Sequence, residues 1–269
     1  MIYARVRGMI RCRIMIVTAS SGLLAEKALR ISRELGADYH PRRGKPLEYL
    51  LGIAPQVFVV NNMRGLSYYE RGKSEAFFHP NMAFQRIAGL KKGCRDNMAE
   101  ACGLKAGASF FDGTLGLAAD SLVASYSAGE SGRVTAAEKS RTMYMLVKEG
   151  LSFYAGRHPE WREIIGRISV LNADNLDFMR GCAAQSFDTV YLDFMFGKPV
   201  ASSDGIQVIR SIAAYDKLTA EHIREARRVA RGRVVIKSDR DGLGELLAHG
   251  FAVENANRRK KFYYAVLEK

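Results

Sequence analysis

Ser109-Phe110-Phe111-Asp112-Gly113-Thr114-Leu115-Gly116-Leu117-Ala118-Ala119-Asp120 is the stretch that decides the fold of this chain. Three β-compatible residues run into an acid, the chain turns over two glycines, and 121–127 continues with helical spacing. A strand that closes in a glycine turn and opens a helix is the first half of a βαβ unit, and ligands of open α/β sheets sit where strands end. The turn is not the dinucleotide motif G-x-G-x-x-G. Its glycines stand at 113 and 116 between carboxylates at 112 and 120, which repel a pyrophosphate instead of cradling it. A tight turn with no ligand is the plain alternative.

Outward from this point the same grammar repeats. RVTAAE (133–138), RISVLNA (167–173), DTVYLDFMF (188–196) and RVVIK (233–237) are short β-rich runs separated by segments of helical period. Such alternation implies a mostly parallel sheet. FAVENA (251–256) and KFYYAVLE (261–268), parted by the basic turn NRRK (257–260), read as a terminal antiparallel hairpin. That combination is the arrangement of class I, Rossmann-like methyltransferases.

Acids close four of the strands. After Asp112 comes Glu138, placed to accept ribose hydroxyls, although a surface Glu at a strand end is also common. Asp174 can accept an adenine amine or equally cap a helix. Asp193, followed by Phe194, Met195 and Phe196, can hold an amino group beside a flat ring; core packing is the competing role for both phenylalanines. This charge suits a ligand with ammonium and sulfonium centres, as S-adenosylmethionine has.

The first part of the chain has a different texture. IMIVT (14–18) and QVFVV (56–60) read as strands, Ser21 as the cap of a helix through Leu35, and Leu66–Tyr69 with Ala76–Phe78 as a pair around ERGK (70–73). We expect a small α+β domain over 1–95 and the larger domain over 96–269. Within 79–96, Met82, Phe84, Ile87 and Leu90 read as core contacts, while Arg86, Lys91, Lys92 and Arg95 crowd a short stretch that can face phosphate.

Of the 269 residues, 48% are hydrophobic and 26% charged, a globular balance that excludes disorder and low-complexity architecture. Lys+Arg outnumber Asp+Glu by 41 to 28, a net +13, which draws in polyanions or simply keeps the surface solvated. No apolar run reaches the roughly eighteen residues of a spanning helix. The arginines near the start leave only Ile14–Ala19 apolar, too short for a secretory core, and the first dozen residues read alternatively as an extension before a start near Met15. Cys12, Cys94, Cys102 and Cys182 form no C-x-x-C pair, so a reducing, cytoplasmic setting is expected. His40, His79, His158, His222 and His249 lack ligand spacing, and no metal is expected.

DGTLGLAAD, VTAAEKS, VYLDFMFGKP and EARRVARGRVVIK together resemble the small-subunit ribosomal RNA guanine-N2 methyltransferases, the RsmJ-like proteins, over roughly residues 79–269. That family carries D-x-T-x-G-L-x-x-D, E-[RK], L-D-P-M-F and a late R-V-V-x-K strand. The resemblance implies a class I fold and S-adenosylmethionine as cofactor. It implies that Gly113, Thr114, Ala119, Asp120, Glu138, Lys139, Asp174, Asn175 and Asp193 hold the cofactor or border its pocket, with Asp112 and Gly116 shaping the turn among them. Asp193 and Phe196 would be catalytic, and Phe194, Arg86, Lys92 and Arg95 would meet an RNA substrate. Two positions depart from the family: Ala118 replaces a glycine and needs a backbone conformation open to a Cβ, and Phe194 replaces the proline that fixes φ. The expected activity is methylation of guanine N2 in ribosomal RNA. Methylation of a protein or small molecule, or cofactor binding without transfer, are the alternatives.

Overall fold

The computed structural model describes residues 14–194, 212, 217–254 and 262–269. The chain folds as two compact units, Met1–Ala76 and Phe77–Lys269. The division falls earlier than the expected boundary at 95, because the helix that follows belongs to the second unit: Ala83 and Ile87 are buried in its core.

In the first unit β1 (Met15–Ala19) leads through a 3-10 turn into α1 (Ala25–Leu35), followed by β2 (Asp38–Tyr39), α2 (Leu47–Ile53), β3 (Gln56–Asn61), β4 (Gly65–Glu70) and β5 (Ala76–Phe77). The sheet order is β2-β1-β3-β4-β5. Ser21 precedes the 3-10 turn and its side chain makes no capping bond, so its expected role as cap of α1 does not hold. α1 stops at Gly36, whose φ of 65° terminates the helix in the left-handed region. β3 and β4 form a hairpin in which Asn61 Oδ1 accepts from the backbone N–H of Met63 and Arg64 at 3.0 and 2.8 Å.

The second unit contains α3 (Asn81–Lys91), α4 (Asn97–Ala101), β6 (Ser109–Asp112), α5 (Ala119–Ala128), β7 (Arg133–Ala137), α6 (Arg141–Arg157), α7 (Pro159–Gly166), β8 (Ile168–Leu171), α8 (Asn175–Gly181) and β9 (Phe187–Leu192). Beyond these come α9 (Ala220–Val229), β10 (Ala230–Ser238), α10 (Leu243–Ala248), β11 (Ala252–Glu254) and β12 (Tyr263–Glu268). The sheet order is β11-β12-β10-β9-β6-β7-β8. β8, β7, β6, β9 and β10 run parallel, and β12 lies antiparallel between β10 and β11. The sheet is therefore mixed. The NRRK turn of the hairpin lies outside the described residues.

Phe110 and Phe111 on β6 point to opposite faces of the sheet, as alternation requires, and both are fully buried. Phe110 joins the core under α3, α5 and α6, and Phe111 the core under α8 and α9. Each buried ring contributes roughly 2–3 kcal/mol. Since β6 is flanked by β7 on one side and β9 on the other, strand order reverses there, and in open α/β sheets ligands bind outside the carboxyl ends of the strands at such a point. Among the described residues no helix is long and apolar enough to cross a membrane.

Candidate active site

Asp112 ends β6 with its side chain turned inward. Its Oδ1 accepts from the backbone N–H of Thr114 at 3.0 Å and its Oδ2 from Ser121 Oγ at 2.6 Å. Burial pushes the Asp112 carboxyl up to about 7; the Ser121 hydrogen bond opposes this, and Asp120 adds to it. Asp112 thus ties the turn to the first turn of α5.

Gly113 is packed from behind, since a Cβ there would stand 2.5 Å from Leu192 Cδ2. Its N–H donates to the carbonyl of Tyr191 at 2.9 Å. Gly116 has a φ of 49°, and Ala118, where a Cβ makes such geometry costly, has a φ of 58°. The expectation of a conformation open to a Cβ at 118 is overturned: the alanine keeps the left-handed turn and carries strain of about 1 kcal/mol.

Glu138, just past β7, is buried and accepts from Ser140 N at 2.8 Å and Gly116 N at 3.3 Å. Its carboxylate is thereby held against the glycine turn. Asp174 resolves as the cap of α8, its Oδ1 accepting from Leu176 N and Asp177 N at 2.9 and 3.1 Å. Its other oxygen pairs with Lys139 Nζ at 3.0 Å. Burial alone would raise the Asp174 carboxyl, but Lys139 and the cap bonds outweigh it and hold it low. Next to it, Asn175 donates to the carbonyl of Gly113 at 2.9 Å, while its buried Oδ1 has no hydrogen-bond partner among the described residues.

Thr114 joins the two strand ends, its Oγ1 accepting from the backbone N–H of Asp193 at 2.6 Å. The Asp193 carboxylate meets Lys237 Nζ, at the end of β10, at 2.6 Å. Lys237 is a site residue that the sequence reading passed over. Its place as the lysine closing the R-V-V-x-K strand was the available signal. Phe194 is buried, packed edge-on to His222 with ring centroids 5.1 Å apart; it is a core residue here and not a surface for a substrate. Phe196 lies outside the described residues.

The phosphate role expected of Arg86 is likewise replaced. Its guanidinium makes a bidentate pair with Asp96 at 2.7 and 2.9 Å and reaches Asp120 Oδ1 at 2.5 Å. Asp120 Oδ2 accepts from Tyr191 Oη at 2.9 Å, and Asp96 also caps α4 through Ala99 N. Arg86 therefore braces α3, α4, α5 and β9 from within. Lys92 and Arg95 stay exposed, with Arg95 only loosely paired to Glu100 at 3.5 Å. A cavity of about 340 Å³ lined by Cys102, Asp188 and Arg233 lies at the opposite, starting ends of the strands. Among the described residues no group of three or more His, Cys, Asp or Glu is placed to hold a metal ion.

Parallel strands reversing order at β6, a glycine turn closing that strand, an acid closing the next and an antiparallel last strand define a class I, Rossmann-like methyltransferase fold. Residues 66–263 match the family described as "Putative SAM-dependent methyltransferase", and the chain belongs to that family. It is an S-adenosylmethionine-dependent methyltransferase, and S-adenosylmethionine is its cofactor. An uncharacterized protein, YpiP of Bacillus subtilis, is 35% identical over 243 residues, 90% of this chain and 93% of that one. The ribosomal RNA small subunit methyltransferase J of Laribacter hongkongensis is 34% identical over 160 residues, 58% of this chain and 55% of that protein. The match therefore spans about half of that protein's length. A SAM-dependent methyltransferase from Neisseria gonorrhoeae shares the fold with a TM-score of 0.61 at 19% identity, over 94% of this chain and 95% of that one.

The donor set fits the cofactor. Carboxylates at Glu138 and Asp193 and the Asn175 Oδ1, without a partner among the described residues, are acceptors, matching a ligand with an ammonium, ribose hydroxyls and an adenine amine.

Proposed function

We propose that the protein methylates an exocyclic amine of an RNA base, guanine N2 of small-subunit ribosomal RNA. The observation that carries this reading is Asp193, a carboxylate held at the strand end by Thr114 and Lys237, where it can accept an N–H from a planar amine.

Bound S-adenosylmethionine supplies an electrophilic methyl group on a sulfonium centre. Gly113, Thr114, Gly116 and Ala119 hold it by backbone approach at the turn, Glu138 takes the ribose hydroxyls, and Lys139, Asp174 and Asn175 border the adenine. Asp112 and Asp120 act one step back, shaping the turn and anchoring α5. Asp193 orients the target amine, accepting an N–H so that the nitrogen lone pair faces the cofactor side. Positioning supplies most of the rate in such a displacement. Phe196, by its resemblance to the family's aromatic, stacks on a base presented outside its helix. The +13 charge, with Lys92 and Arg95 exposed, holds RNA phosphates and makes binding salt-sensitive.

The test is transfer of a radiolabelled methyl group from S-adenosylmethionine to small ribosomal subunits, followed by nucleoside mass spectrometry. N2-methylguanosine in the RNA is the expected product, and Asp193→Ala lowers the rate about 100-fold or more while leaving the protein folded. Label confined to protein, to a small molecule or to another base position refutes the reading. Cofactor binding without transfer to any substrate refutes it too.

A further inference from the structure

We propose that Lys237 is a positioning residue for this transfer, keeping Asp193 ionised and aimed so that the carboxylate can take an N–H of the target amine. The inference rests on the amine-transfer reading above and assigns a role to the lysine that closes the R-V-V-x-K strand, a motif position to which the resemblance attached no function.

The placement follows from strand register. Ile236 of β10 pairs with Leu192 of β9 in parallel, so the next residues, Lys237 and Asp193, emerge side by side at the carboxyl ends. Their side chains are only 22% and 30% exposed and meet at 2.6 Å. Tyr264 of β12 stands opposite Lys237, and the Phe262 ring centroid lies 5.3 Å from the ammonium. The lysine stem is therefore walled by aromatic surface, and its charge is directed at Asp193.

The neighbourhood is otherwise hostile to an ionised carboxylate. Asp112 at the end of β6, Asp120 on α5 and the phenols of Tyr191 and Tyr264 surround the pair, and Asp112 and Asp120 are like charges where ionised. Arg86 is already engaged by Asp96 and Asp120. Burial pushes the Asp193 carboxyl above its ordinary range, Lys237 pulls it back, and Asp120 pushes it up again. For Lys237, burial works to lower its affinity for the proton, but Asp193 and Asp120 outweigh burial and keep the ammonium charged. Removing that ammonium leaves the carboxyl with burial and like charges alone, and it takes up a proton. A carboxylic acid then offers a donor to an amine that needs an acceptor.

The experiment compares wild type with Lys237→Met, Lys237→Gln and Lys237→Arg. Two quantities are read. The first is the titration of the Asp193 carboxyl carbon in protein labelled with carbon-13 aspartate, assigned by Asp193→Asn, with neither cofactor nor RNA present. The second is the pH profile of labelled methyl transfer to small ribosomal subunits. In the Met and Gln variants the Asp193 titration moves upward by at least one pH unit. Their rate at pH 7 falls 10-fold or more and recovers toward pH 9, as the acid is again ionised. The Arg variant retains the cation, and both readings stay near wild type. Lys237→Gln keeps an N–H donor without the charge, so it decides the matter if Lys237→Met does not fold. An unmoved Asp193 titration overturns the inference, as does a rate loss independent of pH or one that arginine fails to rescue. If wild type labels no RNA, the amine-transfer reading fails, whereas the titration still decides whether Lys237 governs the carboxylate.

Discussion

Arg86 offers the sharpest test of how the second unit is held together. Arg86→Met keeps the length of the side chain and removes the guanidinium, leaving Asp96 and Asp120, whose side chains are 10% and 17% exposed, without their cation. Breaking a buried pair from one side costs about 3–5 kcal/mol because a charge is left stranded. The lower end applies here, since Asp96 keeps the Ala99 N–H and Asp120 keeps the Tyr191 hydroxyl. A loss of about 3 kcal/mol is expected in urea unfolding at pH 8. Its pH dependence has a definite sign. In the wild type, burial works to raise the Asp96 carboxyl, but Arg86 and the cap bond prevail and depress it. Its stabilising contribution is therefore present above about pH 4 and fades as pH falls below. In the variant the carboxyl protonates more readily, so the gap between the two proteins narrows from pH 8 to pH 5. Adding Asp96→Asn and Asp120→Asn to Arg86→Met recovers most of the loss. An unfolding curve for Arg86→Met that overlays the wild type at pH 8 would refute the brace and return Arg86 to the pool of cations available for phosphate.

Three other outcomes follow from the same geometry. For Asp112 the sign is opposite: a carboxyl raised by burial to about 7 gives stability that is full below about pH 4 and lost as pH rises toward 7. Asp112→Asn keeps the acceptor for the Thr114 N–H and meets Ser121 Oγ with an amide N–H, the hydroxyl then accepting, so its stability relative to wild type should climb through that window and level off above it, by chemical denaturation. A difference that stays constant from pH 4 to 8 counts against this. Gly150→Ala on α6 should lose about 1–3 kcal/mol although helix propensity alone predicts a gain of about 1, because the new Cβ would stand 2.2 Å from Phe78 Cβ; thermal unfolding that shows a gain removes the contact from the argument. Ala118→Gly should cost markedly less than Ala124→Gly, about 0–1 against about 2 kcal/mol, because both alanines are buried but relief of the left-handed strain offsets the lost methyl only at 118. Equal losses in the two would show that the turn at 118 is unstrained.

Much of the larger unit was legible because its strands are short apolar runs bounded by glycine and acid, and because the helix spacing between them is regular. The acids at 112, 138, 174 and 193 do fall at strand ends as read. What they touch was not legible. Arg86 looked like part of a basic run with Lys91, Lys92 and Arg95, but one-dimensional crowding cannot show that its neighbours Ala83 and Ile87 turn that face of α3 inward, toward an aspartate 34 positions away. The boundary between units was hidden for the same reason: an amphipathic helix announces that it will be buried without saying in which core. The competing roles at Asp174 differ only in where a carboxylate points, and the two N–H groups opening α8 settle its position. Phe194 could be read either way until His222, from a distant helix, closed over it.

The position of β12 between β10 and β11 sets the order in which this sheet can be completed. During vectorial synthesis β11 emerges before the strand that pairs it, and the edge of β10 stays open, a bare ladder of N–H and C=O groups of the kind that recruits other chains. Tyr264 and Phe262, which wall the lysine at Asp193, arrive on the same last segment. A ribosome that stalls or a frameshift just short of Phe262 therefore leaves an unfinished sheet and a Lys237 without its aromatic wall together, and quality control meets both defects as one.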